Sequence, residues 1–225
     1  MLQCGVVSLE PLYEFVRKHS RSWRALVVDG SDDLGKSYVS LCRERLCGVS
    51  KGRGFCLWGF YNHRGFWTNV YIGKAGLRKT ANLYERLFKE LTAERACIWR
   101  EVFSNKHALI EFAKPAHTPK MWPQNKKQWE RNLRKAGSTH IFWVDVSHLA
   151  EDHIEPIEKD LIEAMNPTGN RKRNQPPSGT LRDETTEVFR ALRKMIDLRA
   201  NRAGRFRLQY HNEFWRWVGE TETEP

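Results

Sequence analysis

The feature that most limits what this chain can fold into is a pair of apolar runs, Phe55 to Tyr61 and Phe66 to Ile72, separated by Asn62-His63-Arg64-Gly65. Each run has the length and the aromatic and β-branched content of a strand, and the residues between them have turn chemistry. That pattern closes a β-hairpin. With a four-residue loop Tyr61 faces Phe66, and counting back in register sets Tyr71 opposite Cys56. A slip of one residue would turn Tyr71 to the other face of the sheet.

Other segments supply what a hairpin needs for a core. Trp23 to Asp29 and Ile141 to Val146 read as short buried strands. A helix from Leu9 to about His19 carries Leu12, Phe15 and Val16 at helical spacing, and one from Asn82 to Leu91 carries Leu83, Leu87 and Leu91 on a single stripe. Arg86 projects from a different face. Residues Ala93 to Phe112 read as helical or irregular. After a connection from His148 to Glu155, a helix with Pro156 in its first turn turns Ile157, Leu161, Ile162 and Met165 inward, with Glu158 at one edge. Asn170 to Thr180 has linker composition, and Val188, Leu192 and Ile196 mark a last amphipathic helix that runs on into Arg202 to Trp217. The chain thus divides into an N-terminal helix-strand-helix extension (1–50), a central domain (51–170), a linker (171–180) and a basic helical tail (181–225).

Composition points to a polyanionic partner. A formal charge of +11 in 225 residues suits a chain that displaces counterions from phosphates, and nine Trp and six Tyr are available to stack on bases. The basic residues concentrate in an insertion at 113–137, where Lys126, Lys127, Arg131, Arg134 and Lys135 are the candidate nucleic-acid contacts, interleaved with Trp122 and Trp129. No apolar run has the length of a membrane span, and the first residues lack the pattern of a signal peptide. The five cysteines are odd in number and none is spaced as CxxC, so reduced thiols and a cytoplasmic location are the expectation.

Two readings of the chemistry compete. Gly30-Ser31-Asp32-Asp33-Leu34-Gly35-Lys36-Ser37 matches a phosphate-binding loop between a strand and a helix, which would make the protein a nucleotide-binding kinase or ATPase. Against it, Asp32 and Asp33 place negative charge where backbone amides should cradle phosphate. A nucleotide domain also needs further βα units, for which the stretch before Gly54 is short.

The second reading rests on order and spacing. Tyr71-Ile72-Gly73-Lys74-Ala75, then Arg86 on the helix Asn82-Leu83-Tyr84-Glu85-Arg86, then Glu158 with Asn166-Pro167 and Asn170, resemble the successive signatures of the GIY-YIG nuclease family. The resemblance covers about residues 51 to 170. It implies an α/β (α+β) fold: a small three-stranded antiparallel or mixed sheet flanked by helices, in the order β-β-α-α-β-α. The family's first signature places a tyrosine in the first strand. Hairpin register puts Cys56 there, whereas Gly59-Phe60-Tyr61 has the written form of the motif, so Cys56 and Tyr61 are both candidates. Many members carry His or Tyr one turn after the arginine, where this chain has Glu90.

The activity so implied is metal-dependent hydrolysis of DNA phosphodiesters. In it Glu158 binds Mg²⁺ or another divalent cation such as Mn²⁺, and Tyr71 contacts the attacking water. Arg86 holds the non-bridging oxygens, Lys74 adds charge and Asn170 orients the site. Cutting both strands would need a homodimer on DNA or two successive events. A DNA-binding module without catalysis is the third alternative.

Overall fold

The computed structural model describes residues 2–19, 33–61, 65–76, 82–92, 135, 138–167, 169–170, 181–200, 206–211 and 214–219. The expected strand at 23–29, the stretch 93–112, the linker and all of the basic insertion except Lys135 lie outside them.

The protein is a mixed α/β structure built on a four-stranded antiparallel sheet. Its strands are β1 (Cys4–Ser8), β2 (Gly54–Tyr61), β3 (Trp67–Ala75) and β4 (His140–Asp145), in the order β1-β4-β2-β3. The fourth strand corrects the expected three. β1 is short and adds to the outer side of β4, pairing Cys4 with Val144 through Ser8 with His140. β2 lies between β4 and β3, which is why Phe-Cys-Leu-Trp-Gly-Phe-Tyr reads as an unbroken apolar run rather than an alternating one.

Each face of the sheet carries its own helical layer. On one face α1 (Glu10–Lys18), α2 (Asp33–Arg45) and α3 (Leu83–Thr92) pack over Cys56, Trp58, Ile141 and Trp143. On the other, α4 (Glu151–Met165) and α5 (Asp183–Ala200) cover Phe55, Leu57, Ile72, Phe142 and Val144. Helix α3 starts where Asn82 Oδ1 accepts the Glu85 amide at 2.8 Å. Helix α4 begins at Glu151, so Pro156 lies inside it rather than in its first turn. Burial of Ile154 and Ile157 on either side of the proline holds the helix through that missing backbone donor.

The tail departs from the expected helix. After α5, β5 (Phe206–His211) and β6 (Phe214–Gly219) form an antiparallel hairpin with His211 opposite Phe214. A two-residue connection between two strand-length runs is hairpin spacing.

The hairpin register also differs from the count made on the sequence, by two offsets of one residue each. Tyr61 pairs with Trp67, because five residues rather than four make the connection and Gly65 adopts φ 76°, a left-handed conformation suited to glycine. A bulge then leaves Val70 unpaired between Asn69, opposite Gly59, and Tyr71, opposite Trp58. The two offsets restore parity. Tyr71 therefore keeps its expected face, but its partner is Trp58, and Cys56 lies opposite Gly73.

Candidate active site

β3 is an edge strand of the sheet, and the candidate residues gather around its residues Tyr71 to Lys74. Successive residues of a strand point to opposite faces. Tyr71 and Gly73 therefore face α3, while Ile72 and Lys74 face α4.

On the α3 side, Leu83, Leu87 and Leu91 bury one stripe of the helix. That leaves Arg86 and Glu90, one turn apart, directed at the sheet. The Arg86 guanidinium lies against Gly73: a Cβ built there would sit 2.6 Å from Nη2. Arg86 Nη2 reaches the Tyr71 hydroxyl at 3.4 Å, and its Nε donates to Glu90 Oε1 at 3.1 Å. Lys135 Nζ meets the same carboxylate oxygen at 2.8 Å. Glu90 Oε2 is buried without a hydrogen-bond partner among the described residues.

Burial works against every charge in this cluster: it lowers the pKa of Lys135, with Glu90 pulling it back up. Burial opposes charge on Glu90, but Lys135 and Arg86 outweigh it and lower its pKa. Burial likewise opposes charge on Arg86, and Glu90, Cys56 and Tyr71 raise its pKa above the usual arginine value. Burial raises the Tyr71 hydroxyl, with Arg86 pulling the other way, so the phenol is protonated at neutral pH. Cys56 is fully buried, and burial pushes its thiol up to about 11. It donates to the Gly73 carbonyl at 3.5 Å and acts as a neutral floor beneath the site.

On the α4 side, Lys74 Nζ lies 2.8 Å from Glu158 Oε2 and 3.6 Å from Glu155 Oε1. Glu158 still acts on Tyr71 from there, adding to the upward shift of its hydroxyl. Among the described residues no three His, Cys, Asp or Glu side chains converge. An all-protein cation cage is therefore absent from them. Glu158 and Glu155 are the carboxylates that could hold an ion whose shell waters complete, and in the structure both face the Lys74 ammonium.

Asn170 ties the edge down. Its amide donates to the Ile72 carbonyl and accepts from the Ile72 amide, both at 2.9 Å, and Gly169 N bonds the carbonyl of the bulged Val70 at 2.6 Å. Gly169, by its backbone amide, and Asn170, by its side-chain amide, thus cap the edge of β3 and fix Tyr71 and Gly73 through the residue between them.

Tyr71, Arg86, Cys56, Lys74, Glu158 and Asn170 are therefore neighbours around one edge, and two candidates are not where the sequence put them. Tyr61 lies on the opposite face, packed with α5, its hydroxyl donating to the Ile196 carbonyl at 2.6 Å. It stands five positions after Cys56 on the same strand, an odd step, so the two cannot share a face. Lys135 is 1% exposed and cannot lie along a DNA backbone. Its ammonium stands over the rings of Trp58, at 5.2 Å, and Tyr71, at 4.9 Å. Lys126, Lys127, Arg131 and Arg134 lie outside the described residues. Sequence reasoning missed Trp58 as the partner of Tyr71. Gly59 inside a strand pattern was the readable sign of a bulge beside it.

The phosphate-loop match fares differently. Residues 30–32 lie outside the described part, and Asp33 already opens α2. Lys36 Nζ is 3.4 Å from Asp33 Oδ1, and Ser37 donates to the Asp33 carbonyl at 2.8 Å. Both phosphate-binding side chains of the motif are thus engaged by an aspartate of the same helix.

Comparison of the chain with family models, curated proteins and solved structures finds no match.

Proposed function

We propose that this protein is a metal-dependent DNA endonuclease of GIY-YIG type. The observation that carries the reading is the Arg86 guanidinium set against Gly73 and the Tyr71 hydroxyl, on the strand whose next residue, Lys74, is held by Glu158. A buried cation, a phenol and a helix-borne carboxylate at one sheet edge match the needs of phosphodiester hydrolysis. The overall charge of +11 favours a nucleic-acid substrate.

In this reading Glu158, with Glu155 beside it, would hold Mg²⁺ or Mn²⁺. When bound, such an ion supplies Lewis-acid polarisation of the phosphate and stabilises the leaving oxygen. The chain's own groups do the rest. Arg86 Nη2 binds a non-bridging oxygen, where the planar fork matches phosphate geometry. The protonated Tyr71 hydroxyl orients the attacking water by hydrogen bonding. Being protonated, it accepts no proton from that water, whose proton leaves to solvent. Lys74 adds positive charge beside it. Asn170 touches no reacting atom and is a positioning residue, holding Ile72 between Tyr71 and Gly73.

The deciding experiment is nicking of supercoiled plasmid with Mg²⁺ or with EDTA, by the wild type, Glu158→Gln and Arg86→Ala. Each variant should lose on the order of 10²-fold or more in rate, the usual consequence of removing one preorganised electrostatic group. Cutting by both variants at the wild-type rate would overturn the site. A DNA-binding module without catalysis is favoured by one feature, the buried Cys56 and Trp58 where the family's first phenol is expected. It would give salt-sensitive binding with no Mg²⁺-dependent nicking.

A further inference from the structure

We propose that Lys135 is a positioning residue of this site: through Glu90 it sets the net charge and the orientation of Arg86. The inference rests on the reading of Arg86 as the phosphate-binding group. Lysine is almost never fully buried unless paired, and Lys135 is among the largest fully buried side chains of the protein. Its pairing is with the residue that also holds Arg86. Lys135 Nζ and Arg86 Nε converge on one oxygen, Glu90 Oε1, at 2.8 and 3.1 Å.

Counting charges shows what this does. Arg86 and Glu90 alone would form a neutral pair, a poor attractor for a phosphate. Adding Lys135 leaves the trio at a net single positive charge, in a wall of low dielectric made by Trp58, Cys56 and Tyr71. Because Glu90 is shared, it restrains the Nε side of the guanidinium without neutralising it. Nη2 remains directed at the Tyr71 hydroxyl. A merely structural role is a weak explanation, since buried ion groups are commonly replaceable by apolar side chains without loss of stability.

The test is a charge-compensation series: Lys135→Met, Lys135→Arg, and the double variant Glu90→Gln/Lys135→Met. Binding to a short DNA duplex is read by fluorescence anisotropy in EDTA, and nicking is read with Mg²⁺. Removing a charge that acts through Glu90 should weaken metal-free binding about tenfold or more in Lys135→Met, the scale of one charge-assisted hydrogen bond. The double variant restores the net single positive charge on Arg86 and should recover most of that loss, as should Lys135→Arg. A double variant as weak as Lys135→Met, or a Lys135→Met variant that binds like the wild type, overturns the inference. Thermal melts show which variants fold. Should Lys135→Met not fold, binding by the double variant and Lys135→Arg near the wild-type level supports the inference, and a tenfold deficit in both overturns it. The same series separates this inference from the reading beneath it. If the series shows this order of affinities but the wild type shows no Mg²⁺-dependent nicking, the nuclease reading falls and the charge role stands. Nicking by the wild type with no recovery in the double variant does the reverse.

Discussion

Gly73→Ala should damage the site while leaving the sheet in place. Gly73 has no left-handed backbone conformation that would forbid a side chain, and a strand accepts alanine. The obstacle is a neighbour. The new Cβ would stand 2.6 Å from Arg86 Nη2 and 2.9 Å from Tyr71 Cε1, closer than real Cβ atoms come, and a tight 3.1 Å from Arg86 Cζ. The guanidinium cannot simply swing clear, because Nε is held by Glu90 and Glu90 is held by Lys135. Overpacking of this kind costs about 1–3 kcal/mol. Displacing a positioned group by about 1 Å costs on the order of 10²-fold in rate.

Two assays check it. Urea unfolding should show Gly73→Ala destabilised by about 1–3 kcal/mol, with m unchanged because the same surface is exposed. Plasmid nicking should fall by about 10²-fold with far-UV circular dichroism preserved. The structural core of the argument is tested without any activity. In an Arg86→Ala background the contacts at 2.6 and 3.1 Å are gone and only that with Tyr71 Cε1 remains, so the alanine at 73 should cost less by about 1 kcal/mol or more. Strict additivity of the two substitutions would refute the claim that Gly73 is there to seat Arg86.

Two further outcomes follow from single residues. His140 is 6% exposed, its Nδ1 is 2.8 Å from Thr139 Oγ1, and burial holds its pKa down at about 4 against an ordinary 6.5. The unfolded chain binds this proton first as pH falls, so stability is full above pH 6.5 and declines towards pH 4, by up to about 3 kcal/mol. Denaturant titrations from pH 7 to 4 should lose that slope in His140→Phe, and an unchanged slope would show that another group causes it. Asn170→Ala leaves the buried amide and carbonyl of Ile72 unpaired at the sheet edge, which should cost about 2–4 kcal/mol. Hydrogen exchange of the Ile72 amide reports it directly, and unaltered protection would refute the clamp.

How much of this was legible can be argued from particular residues. The leucine stripe 83, 87, 91 placed Arg86 off the buried face because helical periodicity is local, and Asn82 marked the start of that helix. The apolar runs gave β2, β3 and β4 for the same reason. Cys4–Ser8 did not read as a strand because it is short, and its reason to be one is the outer side of β4, a partner far away in sequence. Register was legible only in parity. A connection one residue longer than counted and the bulge at Val70 each depend on tertiary fit, and together they moved Tyr71 from Cys56 to Trp58 without changing its face. Tyr61 kept the written motif and lost the place, since the sequence does not say which face of a doubly buried strand serves which layer. Lys135 read as a surface cation because nothing nearby in sequence announces Glu90, which lies a whole insertion away.

The position of the candidate site follows from the topology. Arg86 and Glu158 come from helices on opposite faces of the sheet, and a closed sheet would keep them apart. They act on one strand because β3 is its edge, where Tyr71 faces one layer and Lys74 the other within four residues. An open edge carries its own hazard, since unpaired backbone groups invite another chain to add a strand. The residues after α4 answer both problems at once: Gly169 and Asn170 occupy the backbone of Val70 and Ile72, and the side chains of Tyr71 and Lys74 stay available on either face. A site that needs groups from both layers of an α/β fold can be assembled at such an edge only if something short and polar closes it, and an asparagine amide, donor and acceptor together, fits that requirement where a helix or full strand would cover the site.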